Sequence, residues 1–139
     1  NVISIELSAN KKIEILRENI KNFRQKESLT GHITVIWSAS VEKRCQSNFQ
    51  NENELLEAVA NNDRELSPSL LYAIASVFEG CSFVNGGSQN TLCQGLHELS
   101  LKKRCFVLGT DFKAGQTKFK TSAVEYIRML GMVPKVIAS

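Results

Sequence analysis

Segments of strand character and segments of helix character alternate along this chain, which predicts an α/β fold with a mainly parallel sheet. Short β-branched runs such as "HITVIW" lie between stretches whose apolar residues recur every three or four positions. Caps and breakers fall where one type gives way to the other. The composition agrees, since 139 residues with 42% hydrophobic and 22% charged suit a single packed domain or a part of a larger one.

The elements follow in order. Ile13, Leu16, Ile20 and Phe23 share one face of a helix over Asn10 to Lys26. His32 to Trp37 is short, continuous and β-branched, which predicts a buried strand. After a polar stretch from Ser38 to Asn53, Leu55, Leu56 and Val59 mark a helix around Glu54 to Asn61. "SPSLLYAIASVFEG" predicts another helix, in which the Ser67 hydroxyl accepts from a backbone N–H and Pro68 occupies the first turn. Gly80 ends it in a left-handed conformation. Cys81 to Asn85 is a second strand, and Asn90 to Lys102 a helix through Leu92, Leu96 and Leu99. Cys105 to Gly109 is a third strand. Phe119, Ala123, Tyr126, Ile127 and Leu130 define a helix over Thr117 to Leu130, stopped by Gly131 and Pro134. Lys135 to Ser139 has the pattern of a fourth strand.

Several function classes are disfavoured. The net charge of +3 comes from scattered residues with one cluster at Lys102, Lys103 and Arg104, so no nucleic-acid partner is expected. No apolar run approaches the length of a membrane span, so no membrane partner is expected either. Cys45, Cys81, Cys93 and Cys105 form no Cys-x-x-Cys pair and His32 and His97 join no cluster, so no metal is expected. The opening residues lack a signal-peptide pattern and an initiator Met, which points to a processed or truncated cytoplasmic chain with reduced thiols.

Parallel sheets place ligands at the carboxyl ends of their strands. Three loops leave such ends: "SASVEK" after Trp37, "GGSQN" after Asn85 and "GTDFKAGQT" after Leu108. The third is not a P-loop. It is one residue too long, and Gln116 stands where the phosphate-binding Lys belongs. A turn before a helix N-terminus still favours an anion. Asp111 argues against phosphate and suits sugar hydroxyls or an amide, or serves only as a turn former. Gly86 and Gly87 allow a ligand to approach the backbone, or simply make a flexible turn with Ser88 as a cap. No nucleophile elbow and no G-x-G-x-x-G fingerprint occurs.

Together the three loops resemble one family, myo-inositol-1-phosphate synthase. "NGGSQNT", Asn85 to Thr91, is similar to the family's N-G-S-P-Q-N-T. "GTDFKAGQTK", Gly109 to Lys118, is similar to G-D-D-F-K-S-G-Q-T-K, and "IWSASVEK", Ile36 to Lys43, to L-W-T-A-N-T-E-R. The segment Ser67 to Gly86 also resembles the family, and the likeness covers nearly the whole chain. It implies the later part of a Rossmann-type NAD-binding domain over residues 1–116 and the start of a catalytic and tetramerisation domain, also α/β, over 117–139. It further implies an isomerase of inositol and phospholipid biosynthesis, and so of lipid metabolism, in homotetrameric form. Glucose 6-phosphate would be oxidised, cyclised by an aldol step and reduced again, with NAD regenerated. The resemblance places the catalytic lysines beyond Ser139, which would leave this piece inactive alone. The cofactor-binding positions carry over to Ser38, Ala39, Ser40 and Val41, to Gly86 and Gly87, and to Asp111 and Ala114. Gly115 would then permit close approach. The chain departs from the family at Ser38, Ser40, Val41, Gly87, Ser88, Thr110 and Ala114, while Gly86, Asp111 and Gln116 match. Each polar group lost would weaken NAD binding by about 0.5–1.5 kcal/mol. A divergent non-catalytic subunit and a dehydrogenase-like domain for another substrate are the alternatives.

Overall fold

The structure, a computed structural model, describes residues 6–42, 48–109, 111–112 and 115–135. Among them the order is α1 (Ala9–Lys26), β1 (Thr34–Trp37), α2 (Glu52–Ala60), α3 (Pro68–Phe78), β2 (Ser82–Asn85), α4 (Gln94–Lys103), β3 (Val107–Leu108) and α5 (Gly115–Met129). The sheet has the order β1-β2-β3 and both pairings are parallel. The fourth strand expected over Lys135 to Ser139 falls mostly outside the described residues.

The helix ends explain themselves chemically. Ser67 Oγ accepts from Leu70 N at 3.3 Å, Pro68 opens α3, and Gly80 turns left-handed at φ 67°. Asn51 caps α2 reciprocally: Glu54 N donates to Asn51 Oδ1 at 2.9 Å, and Asn51 Nδ2 donates to Glu54 Oε1 at 3.0 Å. The helix expected from Asn90 starts only at Gln94, with Cys93 at its cap position and no side-chain cap bond. Ser88 therefore does not cap it; residues 86–93 instead form the long turn described below.

α3 is the centre of the core. Leu70, Ala73, Ile74, Ala75 and Val77 are buried along it and meet Phe83 of β2 and Leu96 and Leu99 of α4. α1 packs on α3 through Ala9, Ile13 and Leu16. Its register is held by Arg17 Nε, which donates to Glu79 Oε1 at 2.6 Å, and by the Arg17 guanidinium 5.4 Å from the Phe78 ring centre. Phe23, expected on the buried stripe, is 51% exposed because α1 outruns its partner. α2 and α4 meet at Gly95, whose N–H donates to Phe49 O at 2.9 Å.

β1 is not the buried strand its composition predicts. Val35 and Trp37 pack toward the core, whereas Thr34 and Ile36 face outward, Ile36 being 58% exposed. Ile36, Val84 and Leu108 are in register across the three strands, and Leu108 is 56% exposed. The helices thus cover one face of the sheet, and this aliphatic row marks the other.

Candidate functional site

Because β1, β2 and β3 are parallel neighbours, the segments after Trp37, Asn85 and Leu108 emerge side by side. Backbone hydrogen bonds join them. Gly86 N donates to Trp37 O at 2.8 Å, bringing the second loop against the first. Asp111 N donates to Gly87 O at 3.1 Å and Phe112 N to Gly86 O at 3.0 Å, docking the third loop on the second.

The two glycines have different jobs. A Cβ on Gly86 would stand 2.6 Å from Phe112 Cζ, so that position must lack a side chain for the Phe112 ring to lie over it. A Cβ on Gly87 would stand 2.8 Å from Gln89 Nε2. Asn85, buried at the end of β2, stabilises the turn from within: its Oδ1 accepts from Gly87 N at 2.9 Å, and its Nδ2 donates to Gln89 O at 2.7 Å. Gly109, at the start of the third loop, is tightly neighboured: a Cβ there would stand 3.3 Å from Leu92 Cδ1 and 3.4 Å from Asn85 Cβ.

Asp111 is exposed and sits at φ 59°, a left-handed conformation that Asp tolerates better than most residues. Its carboxylate has no hydrogen-bond partner among the described residues. Ser38, Ala39, Ser40 and Val41 are all exposed. Ala114 lies outside the described residues, and α5 begins at Gly115. The structure therefore brings together seven of the eight sequence-predicted positions, at one edge of the sheet.

A cluster that sequence reasoning missed links the first and second loops. Glu42 Oε1 accepts from Ser69 N at 2.8 Å and Glu42 Oε2 from Ser69 Oγ at 2.6 Å. Ser69 Oγ also bonds Thr91 Oγ1 at 2.8 Å and Ser67 Oγ at 3.1 Å. Ser69 is fully buried and Thr91 nearly so. A carboxylate at the N-terminus of α3 also interacts favourably with the positive end of the helix dipole. The signal was present, since Glu42 and Thr91 belong to the first two motifs and Ser69 lies in the first turn of α3.

Polar groups at the site remain to be satisfied. The side-chain oxygen and nitrogen of Gln89 and the indole N–H of Trp37 are buried without a partner among the described residues. An orphaned amide offering both donor and acceptor and an exposed carboxylate, set beside the glycine turn, fit a ligand rich in hydroxyls and amides. That set suits a dinucleotide. Among the described residues no group of three or more His, Cys, Asp or Glu is placed to hold a metal, and no helix is long and apolar enough to cross a membrane.

Three parallel strands, helices on one face and three joined loops at the carboxyl edge define a Rossmann-like nucleotide-binding domain. The family model described as myo-inositol-1-phosphate synthase, for its NAD-binding domain, matches residues 1–139. The chain belongs to the myo-inositol-1-phosphate synthase family, and NAD is the cofactor of its domain. It is 45% identical over 130 residues to an inositol-3-phosphate synthase of Trypanosoma brucei brucei, covering 91% of this chain and 24% of that protein. It is 36% identical over 129 residues to the inositol-3-phosphate synthase of Drosophila melanogaster, covering 91% and 23%. The crystal structure of inositol-3-phosphate synthase from Caenorhabditis elegans superposes with a TM-score of 0.74 at 38% identity, over 96% of this chain and 26% of that one. The chain thus spans about a quarter of the length of these relatives.

Proposed function

We propose that this chain forms the later part of the NAD site of an enzyme that isomerises glucose 6-phosphate to a myo-inositol monophosphate by internal oxidation, aldol cyclisation and reduction. The observation that carries this reading is the joining of the three family motifs into one ligand-facing edge. NAD, when bound, supplies the acceptor and later the donor of a hydride. The residues do the holding. The Gly86–Gly87 turn binds the second loop to the first and third beside the ligand, Asp111 accepts from its hydroxyls or amide, and Ser38, Ala39, Ser40 and Val41 border it from the first loop, with Ala114 on the third. The same reading makes residues 117–139 the entry to a catalytic and tetramerisation domain, and makes the whole protein a cytoplasmic homotetramer.

The test is turnover by the full-length polypeptide that carries this sequence. With glucose 6-phosphate and NAD it is expected to produce inositol monophosphate with no net consumption of NAD. NAD binding without turnover on any hexose phosphate would replace this reading with that of a non-catalytic subunit. Turnover of a different substrate only would replace it with a dehydrogenase-like domain.

A further inference from the structure

The two connections leading from a helix into β2 and β3 are built alike. α3 ends at Phe78, and Gly80 turns left-handed at φ 67° just before Cys81. α4 ends at Lys103, and Arg104 does the same at φ 54° just before Cys105. Cys81 N donates to Ser76 O at 2.9 Å, and Cys105 N donates to Ser100 O at 3.0 Å. Each thiol donates to the carbonyl two residues back, Cys81 Sγ to Glu79 O at 3.7 Å and Cys105 Sγ to Lys103 O at 3.4 Å. Equivalent turns feeding neighbouring parallel strands deliver their side chains at the same height. The register pairs Phe83 with Val107. Carried back two residues, it sets Cys81 opposite Cys105 on the core-facing side. Neighbouring strands lie about 4.8 Å apart, within the roughly 4.4–6.8 Å between Cα atoms that a disulfide spans.

We propose that Cys81 and Cys105 form a paired dithiol that a small peroxide oxidises to a disulfide, a modification site on the sheet edge opposite the cofactor loops. The residues also assign the order of attack. Arg24 Nη2 donates to Cys81 Sγ at 3.7 Å, so a cation stands against the sulfur that attacks. Burial, and then the neighbouring Cys81, hold the Cys105 thiol above its ordinary value. Cys81 sulfur therefore attacks the peroxide: an S–O bond forms, the O–O bond breaks, and the departing oxygen leaves as water. Cys105 sulfur then attacks Cys81 sulfur: the S–S bond forms, the S–O bond breaks, and a second water leaves. Two thiols lose two electrons and two protons, and the peroxide takes up both. Cys81 is 0% and Cys105 7% exposed, so only a small oxidant reaches them.

The experiment treats the native full-length protein with hydrogen peroxide, alkylates the remaining thiols and maps the peptides. The expected product is a Cys81–Cys105 cross-linked peptide, about 2 Da lighter than the two reduced peptides together and reversed by dithiothreitol. In the Cys105→Ser variant that species disappears, and dimedone traps the sulfenic acid on Cys81. The wild-type map decides even if the variant fails to fold. Both thiols still alkylatable after peroxide, or either one linked to a different cysteine, would overturn the proposal.

Discussion

Replacing Gly86 by Ala puts one methyl group where the third loop docks on the second. The new Cβ would stand 2.6 Å from Phe112 Cζ, well inside van der Waals contact, so the ring must leave. Phe112 is 46% exposed and has somewhere to go, which keeps the substitution from unfolding the protein. The ring cannot move far without straining the Phe112 N–Gly86 O and Asp111 N–Gly87 O bonds, at 3.0 and 3.1 Å. Overpacking of this kind costs about 1–3 kcal/mol. If that strain is carried by the ligand-binding geometry, the Kd for NAD rises about 5- to 150-fold. The assay is calorimetric NAD titration of the full-length protein as a double-mutant cycle with Phe112→Ala. In the Phe112→Ala background the methyl group meets no ring, and Gly86→Ala is expected to change Kd by less than about 3-fold. An equal loss in both backgrounds, or none in either, would refute the docking of these two loops as the origin of the site.

Other perturbations test the rest of the account. Ser69→Ala removes the hydroxyl's hydrogen bond to the Glu42 carboxylate and its bond to Thr91 Oγ1, while the Ser69 N–H still donates to Glu42, and is expected to cost about 1.5–3 kcal/mol in chemical denaturation, with NAD affinity falling alongside; unchanged stability would mean the cluster positions nothing. Gly95→Ala sets a Cβ 2.9 Å from the Asn51 carbonyl carbon, a main-chain atom that cannot swing away, and is expected to lower Tm by parting α2 from α4. The Cys105 thiol is raised above its ordinary value of 9.0, so the folded state holds a proton that the unfolded chain gives up. Its contribution is therefore present below about pH 9 and lost as pH rises above it, and Cys105→Ala is expected to flatten the alkaline fall of Tm. The 139-residue chain expressed alone should self-associate in light scattering through Phe106, Ile36 and Leu108, and a monodisperse monomer with sharp two-state unfolding would contradict that.

The sequence carried the fold because its local signals agree. Ser67 with Pro68, and Gly80 and Gly131, fix helix ends by chemistry that acts within a few residues. Burial was less legible. The β-branched run at β1 reads as buried on both faces, but alternation along an extended strand puts Ile36 outward, and only the sheet's neighbours decide whether anything covers it. The start of α4 was misplaced by four residues because Leu92 continues the apolar spacing while serving the turn instead, packed partly against the core. At the site, the motif loops were visible as loops, but their joining was not. The bonds from Asp111 and Phe112 to the glycine turn are between main-chain atoms and leave no mark on residue type beyond the need for Gly86. The Glu42–Ser69–Thr91 cluster spans three separate segments, so it becomes visible only once α3 is set between them.

The central claim is that the three loops make one NAD site, and hydrogen–deuterium exchange of the full-length protein with and without NAD tests it most directly. The account predicts slowed exchange together in residues 38–42, 86–93 and 109–112. Protection confined to one loop, or absent from all three while NAD is demonstrably bound, would contradict it.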